Sequence, residues 1–475
     1  MKHIKVIILT LLLIFLFSPS DSINAQMYNS YMSSVTVQNL TEETATVSLT
    51  YYYGGDNSNA GDVAETLSDT IGAFEVAEYA TLPDDSFEGS LVISSNKPLG
   101  AVSILNGDDK GRGMYTGSSS GGTDIVLPFM MNNWGISSWN TFFSVQNVGP
   151  STATVHVNYE HCDPVIDKTL TIEPYAMKIV DQADEPCLSG QGRVITNATL
   201  SSDQPIVVVV SQESTVVNSA LVSNGYSEGS KTPAIPLVNS NNPDIDGWRT
   251  AISIFNLDEV DTTVTLKYVS KEGVECQETR TIEASSSTEF GGNAFILGDP
   301  ALTCTAEERF IGCAYVIENT ANVDLVATVN QDRKTTPSSS LASSYSSFNP
   351  EDGTPRIAFP RFVNRFGGAE TWDSTFTVMN VGTSPVYVKC EYLNDDYASE
   401  LGEIEVNGVR EDLPRYDLPD NYTGGAICTA YSDAEYSTID YTAKIIGMVN
   451  TRGFGGEGFY DLMMTYEAVN VELNP

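Results

Sequence analysis

Residues that could do chemistry are few and scattered in this chain. Gly117-Ser-Ser-Ser-Gly121 matches the G-x-S-x-G pattern of serine hydrolases, but that serine works only on a tight turn between a strand and a helix. His156 and His161 are the histidines that follow the N-terminal segment. A zinc site needs three or four ligands, and a Ser-His-Asp triad needs an oriented histidine. We therefore predict no enzyme, no catalytic residue and no cofactor.

Oxygen donors offer one alternative. Asn242, Asp244 and Asp246 alternate in a segment just before Trp248, and a loop of amide and carboxylate oxygens can hold Ca²⁺. No complete EF-hand or nonapeptide calcium pattern is present. In an acidic chain, clusters of this kind are also expected by chance, so calcium remains an alternative to a metal-free protein.

Charge excludes some partners. The chain has 24 Lys and Arg against 62 Asp and Glu, a net charge of −38. Nucleic acids and anionic membranes attract basic surfaces, so we expect neither as a partner. Such a charge favours solubility and suits an exported protein.

A repeated spacing dominates the chain. An aromatic residue stands eight positions before an asparagine four times: Tyr31 and Asn39, Trp139 and Asn147, Trp248 and Asn256, Trp372 and Asn380. A tyrosine follows the asparagine by twelve positions in three copies, at Tyr51, Tyr159 and Tyr268, and Cys390 is expected to replace it in the fourth. A fixed spacing indicates a repeated structural unit. We expect the tryptophans in the core, the asparagines at turns, and Trp134 as an exposed contact.

The elements around these positions are strands. Apolar residues alternate with polar ones, and Val, Thr, Ser, Tyr and Gly are abundant, as in all-β proteins. Six or seven short strands per unit are typical of an immunoglobulin-like antiparallel sandwich. We predict a signal peptide at 1–25 and four sandwiches at 26–123, 124–232, 233–356 and 357–475. The Gly/Ser-rich stretches 117–122 and 338–347 have the composition of flexible connections or long surface loops.

The N-terminus has the features of an export signal. Lys2 and Lys5 precede an apolar run, 6–17, and Ala25 stands before a cleavage position at Gln26. The run is too short to span a bilayer comfortably, so we predict a secreted or cell-surface protein without membrane insertion. Export permits disulfides, and we predict Cys162–Cys187, Cys276–Cys304 and Cys390–Cys428. Cys313, opposite Tyr268 and at the counterpart of Cys428, would be a buried free thiol; a 304–313 bridge is the alternative.

Proline-containing apolar segments join the repeats: Ile125–Pro128, Ala234–Pro236 and Ile357–Pro360. Each segment completes either the repeat before it or the repeat after it. In the second case the first repeat lacks one, and the C-terminal segment 468–475, which aligns with the joining segments, could add as a strand to the first repeat of another copy. Such a contact propagates a head-to-tail filament, and its contact candidates are Val469, Val471, Leu473, Tyr31 and Val35.

This logic resembles the donor-strand pili of bacterial surfaces, and the tandem repeats resemble the immunoglobulin-like domains of bacterial surface and adhesion proteins. The resemblance covers the whole mature chain but rests on the fold and the Trp-to-Asn spacing. It implies a non-enzymatic stalk or filament subunit, with copies of itself as partners and an adhesive role toward a polysaccharide or cell-surface component. An extracellular carbohydrate- or calcium-binding module protein is the alternative function.

Overall fold

The chain folds almost entirely into antiparallel strands, and it divides into two compact units, 1–227 and 228–475. The computed structural model describes residues 7–13, 31–84, 87–107, 111–135, 138–160, 168–185, 188, 194–214, 216, 219–242, 247–291, 303, 309–336, 339–367, 371–393, 395, 397–454 and 463–473. The predicted all-β class is confirmed. Apart from two short 3-10 turns, Gln182–Asp184 and Pro350–Asp352, the assigned elements are strands.

The first unit begins with eight strands around the first repeat: β1 (Ile7–Leu13), β2 (Tyr31–Asn39), β3 (Ala45–Tyr53), β4 (Val63–Ile71), β5 (Val76–Tyr79), β6 (Gly89–Ser95), β7 (Leu99–Gly107) and β8 (Arg112–Thr116). They form two four-stranded sheets, in the orders β1-β6-β3-β4 and β5-β2-β7-β8. Val35 and Val47, one from each sheet, share the same core.

The second repeat contributes β9 (Gly122–Asn132), β10 (Asn140–Asn147), β11 (Ala153–Tyr159), β12 (Lys168–Ile172), β13 (Met177–Asp181), β14 (Val194–Ser214) and β15 (Ser219–Asn224). Its seven strands join into one sheet because the long strand β14 takes part in both halves. The first half of β14 pairs with β9 and β11, and the second half pairs with β10 and β15.

The third repeat opens the second compact unit with β16 (Ala234–Ser240), β17 (Arg249–Asn256), β18 (Thr262–Ser270), β19 (Glu275–Ile282), β20 (Ser287–Gly291), β21 (Phe310–Asn319), β22 (Leu325–Thr336) and β23 (Ser339–Ser346). The sheet orders are β16-β21-β18-β19 and β20-β17-β22-β23. The Ser-rich stretch predicted to be a connection is therefore largely the strand β23.

The fourth repeat contains β24 (Arg356–Asn364), β25 (Thr371–Asn380), β26 (Val386–Tyr392), β27 (Ala398–Ile404), β28 (Val409–Asp412), β29 (Tyr422–Tyr431), β30 (Ile445–Phe454), β31 (Met463–Glu467) and β32 (Val469–Val471). Its sheets run β27-β26-β29-β24-β32 and β28-β25-β30-β31. Phe359 and Phe376 stack between them, with ring centroids 5.2 Å apart.

One strand order recurs in all four repeats, and it settles where the joining segments belong. They form β9, β16 and β24, here called the lead strands, and each pairs with a strand of the repeat that follows it. The first of the two alternatives drawn from the sequence, in which each segment completes the preceding repeat, is therefore wrong.

Every lead strand has a register irregularity at its proline. The shifts in pairing span Pro128, Pro236 and Pro360. Proline lacks the N–H group that a ladder needs, so it is tolerated where a bulge removes one residue from the pairing. The proline therefore fixes the position of the bulge in each lead strand.

Candidate functional site

Among the residues that the structure describes, the first repeat has no lead strand with a proline bulge. Its place in the sheet is taken by β1, which lies in the predicted signal peptide and pairs with β6 from Ile7 opposite Ser95 to Leu13 opposite Gly89. The pairing is antiparallel and continuous over seven residues, without the bulge of the other repeats. We call the edge of β6 that holds β1 the acceptor edge.

The acceptor edge is equivalent to the lead-strand positions by register. In the sheets of the other repeats, an alanine pairs on one side with the repeat tyrosine and on the other side with the lead-strand residue before the proline. The three sets are Tyr159, Ala198 and Leu127; Tyr268, Ala314 and Ile235; and Tyr392, Ala426 and Phe359. Leu91 holds this position in the first repeat, between Tyr51 and Leu11. The twelve-residue spacing thus ends at Tyr392 in the fourth repeat, and the prediction that Cys390 replaces the tyrosine is wrong.

The acceptor edge lies among apolar and partly buried polar groups. Leu91 and Ile93 of β6 are fully buried in the core of the first unit. The Ser90 hydroxyl donates to the carbonyl oxygen of Tyr175. Burial, with a smaller effect from the neighbouring Asp56 carboxylate, raises the pKa of Glu88 above its usual range. An apolar strand backbone suits this edge, and an added negative charge beside Glu88 does not.

The residues predicted as subunit contacts lie elsewhere. Tyr31 and Val35 are buried in the core on β2, which is paired on both sides. At the other end, β32 pairs with β24 of its own repeat, Val469 opposite Ala358 and Val471 opposite Arg356. The C-terminal strand β32 is therefore the counterpart of Tyr226 and Phe348, each of which forms a single bridge to the outer side of a lead strand. The predicted alignment of the C-terminal segment with the lead strands themselves is wrong.

The four repeat asparagines are fully buried and bonded alike. The Asn147 amide donates to the carbonyl oxygens of Ser151 (2.7 Å), Ile172 (3.0 Å) and Glu173 (3.2 Å), and its Oδ1 accepts from Gly149 N (2.9 Å). Equivalent bonds surround Asn39, Asn256 and Asn380. These hydrogen bonds hold the turn after each asparagine-bearing strand (β2, β10, β17 and β25) against the hairpin that follows, so the role of the asparagines is structural.

The repeat aromatics differ in burial. Tyr31 and Trp248 are buried, whereas Trp139 and Trp372 are half-buried, so the prediction of a core position is wrong for the last two. Trp139 exchanges two backbone hydrogen bonds with Trp134, each 2.9 Å, and Trp372 does so with Phe366. These residues close the loop between the lead strand and the next strand. Trp134 is 38% exposed, in agreement with the expected exposed position.

Candidate chemical residues are not brought together. Gly117–Gly121 connects β8 to β9, so no helix follows its serines. His156 lies half-buried on β11, 3.4 Å from the Thr169 hydroxyl, and His161 lies outside the described residues. Within the described residues, no group of three or more His, Cys, Asp or Glu could hold a metal ion.

The calcium candidates are only partly visible. Asp244 and Asp246 lie outside the described residues. The Asn242 side-chain oxygen accepts a hydrogen bond from Arg309 Nε at 2.9 Å. A guanidinium at the oxygen that calcium would need opposes cation binding there.

The cysteines stabilise the fold. The predicted disulfide Cys390–Cys428 is present and links the directly paired strands β26 and β29. Cys276 is disulfide-bonded, and its predicted partner Cys304, like Cys162 and Cys187, lies outside the described residues.

Cys313 is a buried free thiol, as predicted, but its neighbours differ from the expectation. It pairs with Val269, not Tyr268, and occupies the position of Gly425, not of Cys428. Its Sγ lies 3.2 Å from the Asn407 carbonyl oxygen, in a cluster that also contains Met379. Burial raises the pKa of the thiol to about 12, so it is protonated and poorly nucleophilic at neutral pH.

Sequence reasoning missed Glu278, a buried ionisable group in the third repeat. Glu278 is fully buried, and its carboxylate accepts from the Tyr268 hydroxyl (2.7 Å), the Gly291 N–H (2.8 Å) and Arg280 Nε (2.5 Å). Burial and this carboxylate hold the pKa of Tyr268 well above its usual range. Both carboxylate oxygens of Glu278 have donors, so this side chain ties β18 to β19 and β20. No spacing in the sequence indicates it.

Comparisons with known proteins find little. No family model matches the chain, and no curated protein matches it. A solved structure described as Thermotoga maritima 1070 aligns with 23% of this chain and 96% of its own length, at 16% identity and a TM-score of 0.20. A tetra-tandem repeat in the extending region of a large adhesion protein aligns with 95% of this chain and 98% of its own, at 12% identity and a TM-score of 0.09. These scores are too low to support a fold or a function.

Proposed function

We propose that the protein is a non-enzymatic structural component of the cell exterior, a stalk or filament subunit made of four tandem immunoglobulin-like β-sandwiches. The recurrence of one strand order supports the four sandwiches: the first, third and fourth repeats have two sheets each, and in the second repeat the long strand β14 joins the two groups of strands into one sheet. The observation that carries the assembly is the acceptor edge. The strand that occupies it belongs to the segment that export would remove.

The mature chain has too little length to refill this edge itself. In the other repeats, the lead strand ends at Asn132, Ser240 or Asn364, and the next strand begins at Asn140, Arg249 or Thr371. Cleavage before Gln26 leaves only residues 26–30 ahead of β2, fewer than those connecting loops contain. An apolar sheet edge without a partner pairs readily with another chain. Signal removal would therefore leave a site for a strand from a second molecule.

Solution mass is the direct test. Residues 26–475 should form species whose light-scattering mass rises with concentration. A control protein carries residues 7–13 followed by the loop sequence 365–370 ahead of residue 26, so that the strand that pairs with β6 without a bulge refills the edge in cis. This control should be a monomer at every concentration. A monomeric 26–475 protein whose β6 amides resist hydrogen exchange would contradict assembly at this edge.

A second function, polysaccharide binding, is favoured by one loop. Tyr416 is 85% exposed, although its loop is fixed by the Asn364 amide, which donates to the carbonyl oxygens of Arg415 (3.3 Å) and Leu418 (2.9 Å). A rigidly presented tyrosine ring is suited to contact a ligand at little cost in conformational entropy. Tyr416→Ala should reduce retention on immobilised cell-wall polysaccharide, whereas Tyr441→Ala, also exposed, should not. Equal retention of both variants and the unmodified chain would contradict this function.

A further inference from the structure

We propose that the acceptor edge of one copy binds the C-terminal strand β32 of a second copy, antiparallel, with Val471 opposite Leu91. The inference rests on the proposed function, because it names the partner of the same site. Each copy would then offer one donor strand and one acceptor edge, and the contact would be repeated along a filament.

The acceptor edge sets the size of the donor residue. At this position the other repeats pair a small alanine with a large residue, Leu127, Ile235 or Phe359. The first repeat has the larger Leu91 instead. In the structure Leu91 faces Leu11, so the edge accepts a branched aliphatic residue at this position, and the larger Leu91 favours a donor residue no larger than leucine. Valine meets this condition.

The C-terminal segment has the required pattern. Val469, Val471 and Leu473 alternate with Asn470 and Glu472, the period of a strand with one apolar face. In the proposed register, Val469 lies opposite Ile93, and Leu473 lies opposite Gly89. Asn470 and Glu472 then lie opposite the buried Val92 and Ser90, and Glu472 comes beside Glu88, so the contact is expected to favour the protonated form of one of these two carboxyl groups. The strand needs no bulge, as the continuous pairing of β1 shows.

The present position of β32 is held by a short pairing, by burial of Val471 and by the Asn470 amide, which donates to the Asp352 carbonyl oxygen at 2.8 Å. This strand pairs with β24 through three residues only, whereas β6 pairs with β1 through seven. In the second and third repeats, the same outer side of the lead strand makes one bridge, from Tyr226 or Phe348. Lead strands therefore form with few backbone partners on their outer side. Transfer of β32 to β6 would increase the number of backbone groups of β32 that are paired.

Cross-linking between two preparations tests the register. Both use residues 26–475 with Cys313→Ala, one with Val92→Cys and the other with Asn470→Cys, because these positions face each other in the proposed pairing. Mixing should give a disulfide-linked heterodimer. Pairing Val92→Cys with Glu472→Cys, which is out of register by two residues, should give at least about tenfold less product. Equal yields would overturn the proposal, because they indicate random collision.

A peptide separates failure of the donor from failure of the acceptor edge. A copy of residues 7–13 with lysine tails should bind residues 26–475 and block the cross-link. If the peptide binds but no Val92→Cys to Asn470→Cys product forms, β32 is not the donor and the acceptor edge remains. If the peptide does not bind and residues 26–475 stay monomeric, both the donor and the proposed acceptor are overturned. Deletion of 468–475 should give a folded monomer.

Discussion

The repeat asparagines show how one side chain can fix a turn without taking part in function. Each is fully buried and satisfies carbonyl groups that would otherwise lack donors, at the point where a strand of one sheet leads into the other. An unsatisfied buried carbonyl costs about 1–3 kcal/mol. The same residue is therefore retained in all four repeats for the stability of the fold.

Asn147→Ala should lower the local free energy of unfolding by about 3 kcal/mol, since several buried carbonyl groups and the Gly149 N–H lose their partner together. Hydrogen exchange of the β10 and β11 amides measures this loss. Asn158→Ala, half-buried on β11, is the matched control and should change the free energy by less than about 0.5 kcal/mol. Similar losses in both variants would contradict the role of Asn147.

Asp181 makes local stability depend on pH. Burial raises its pKa from 3.8 to about 6, so the folded state favours the protonated form. This contribution is complete below pH 3.8 and is lost as the pH rises through 6. Asp181→Asn keeps the acceptor for Ala183 N and should stabilise β13 by about 2 kcal/mol at pH 7.5, with little effect at pH 3.5. Hydrogen exchange at both pH values measures it; a pH-independent difference would contradict the cause.

At the scale of single residues, the sequence predicts the role of a residue, such as a turn asparagine or a free thiol, better than its burial. The asparagine spacing predicted turns, and a buried free Cys313 was predicted correctly. The burial of Trp139 and Trp372 was predicted wrongly, because each pairs through its backbone with a residue in the preceding loop. Such pairing depends on the loop geometry, which side-chain periodicity does not record.

The lead strands illustrate the same limit at the scale of elements. Their apolar residues and proline identify a strand with a bulge, but strand pairing is a contact between distant residues, so sequence alone left two repeats as possible partners. The Ser-rich strand β23 is a second case. Its composition is typical of a linker, yet it pairs with β22, and the Ser343 hydroxyl accepts from Thr465 Oγ1 at 2.7 Å. Small residues suit this close approach of β23 and β31.

The Cys390–Cys428 disulfide should stabilise the pairing of β26 and β29. Replacing both cysteines by alanine removes a cross-link that limits the unfolded chain and should lower the free energy of unfolding by about 3 kcal/mol. Calorimetry of the purified protein would record this as a lower transition temperature for the second compact unit, which contains the fourth repeat. Cys313→Ala, which breaks no cross-link, is the control. An unchanged transition in the double variant would contradict the prediction.

At the scale of the whole molecule, neighbouring repeats share apolar clusters inside each compact unit. In the first unit, Tyr31 of the first repeat packs against Phe142 of the second, with ring centroids 5.9 Å apart. In the second unit, Cys313 of the third repeat packs with Met379 and Ile446 of the fourth. From the sequence we predicted four separate sandwiches and did not predict these contacts. The outer face of a strand alternates with its core face in the same way whether that outer face contacts solvent or a neighbouring repeat.

Cys313 reports on the junction in the second unit. Its thiol should react with an aromatic disulfide reagent at least about 100-fold more slowly than in the urea-unfolded chain, because it is buried and its pKa is about 12. Met379→Ala leaves a cavity beside it and should raise the rate by about tenfold or more. Met32→Ala, exposed in the other unit, is the control. Equal rates in both variants would contradict the location of Cys313 at the junction.

The shared clusters also have a mechanical consequence. In a string of independent sandwiches, tension applied to the ends opens the domains one at a time, and each yields separately. Here the first and second repeats share a buried apolar cluster, and so do the third and fourth. One repeat of a pair therefore cannot unfold without exposing apolar side chains of the other repeat to water. Under load, the chain should extend in two large steps and not in four small ones.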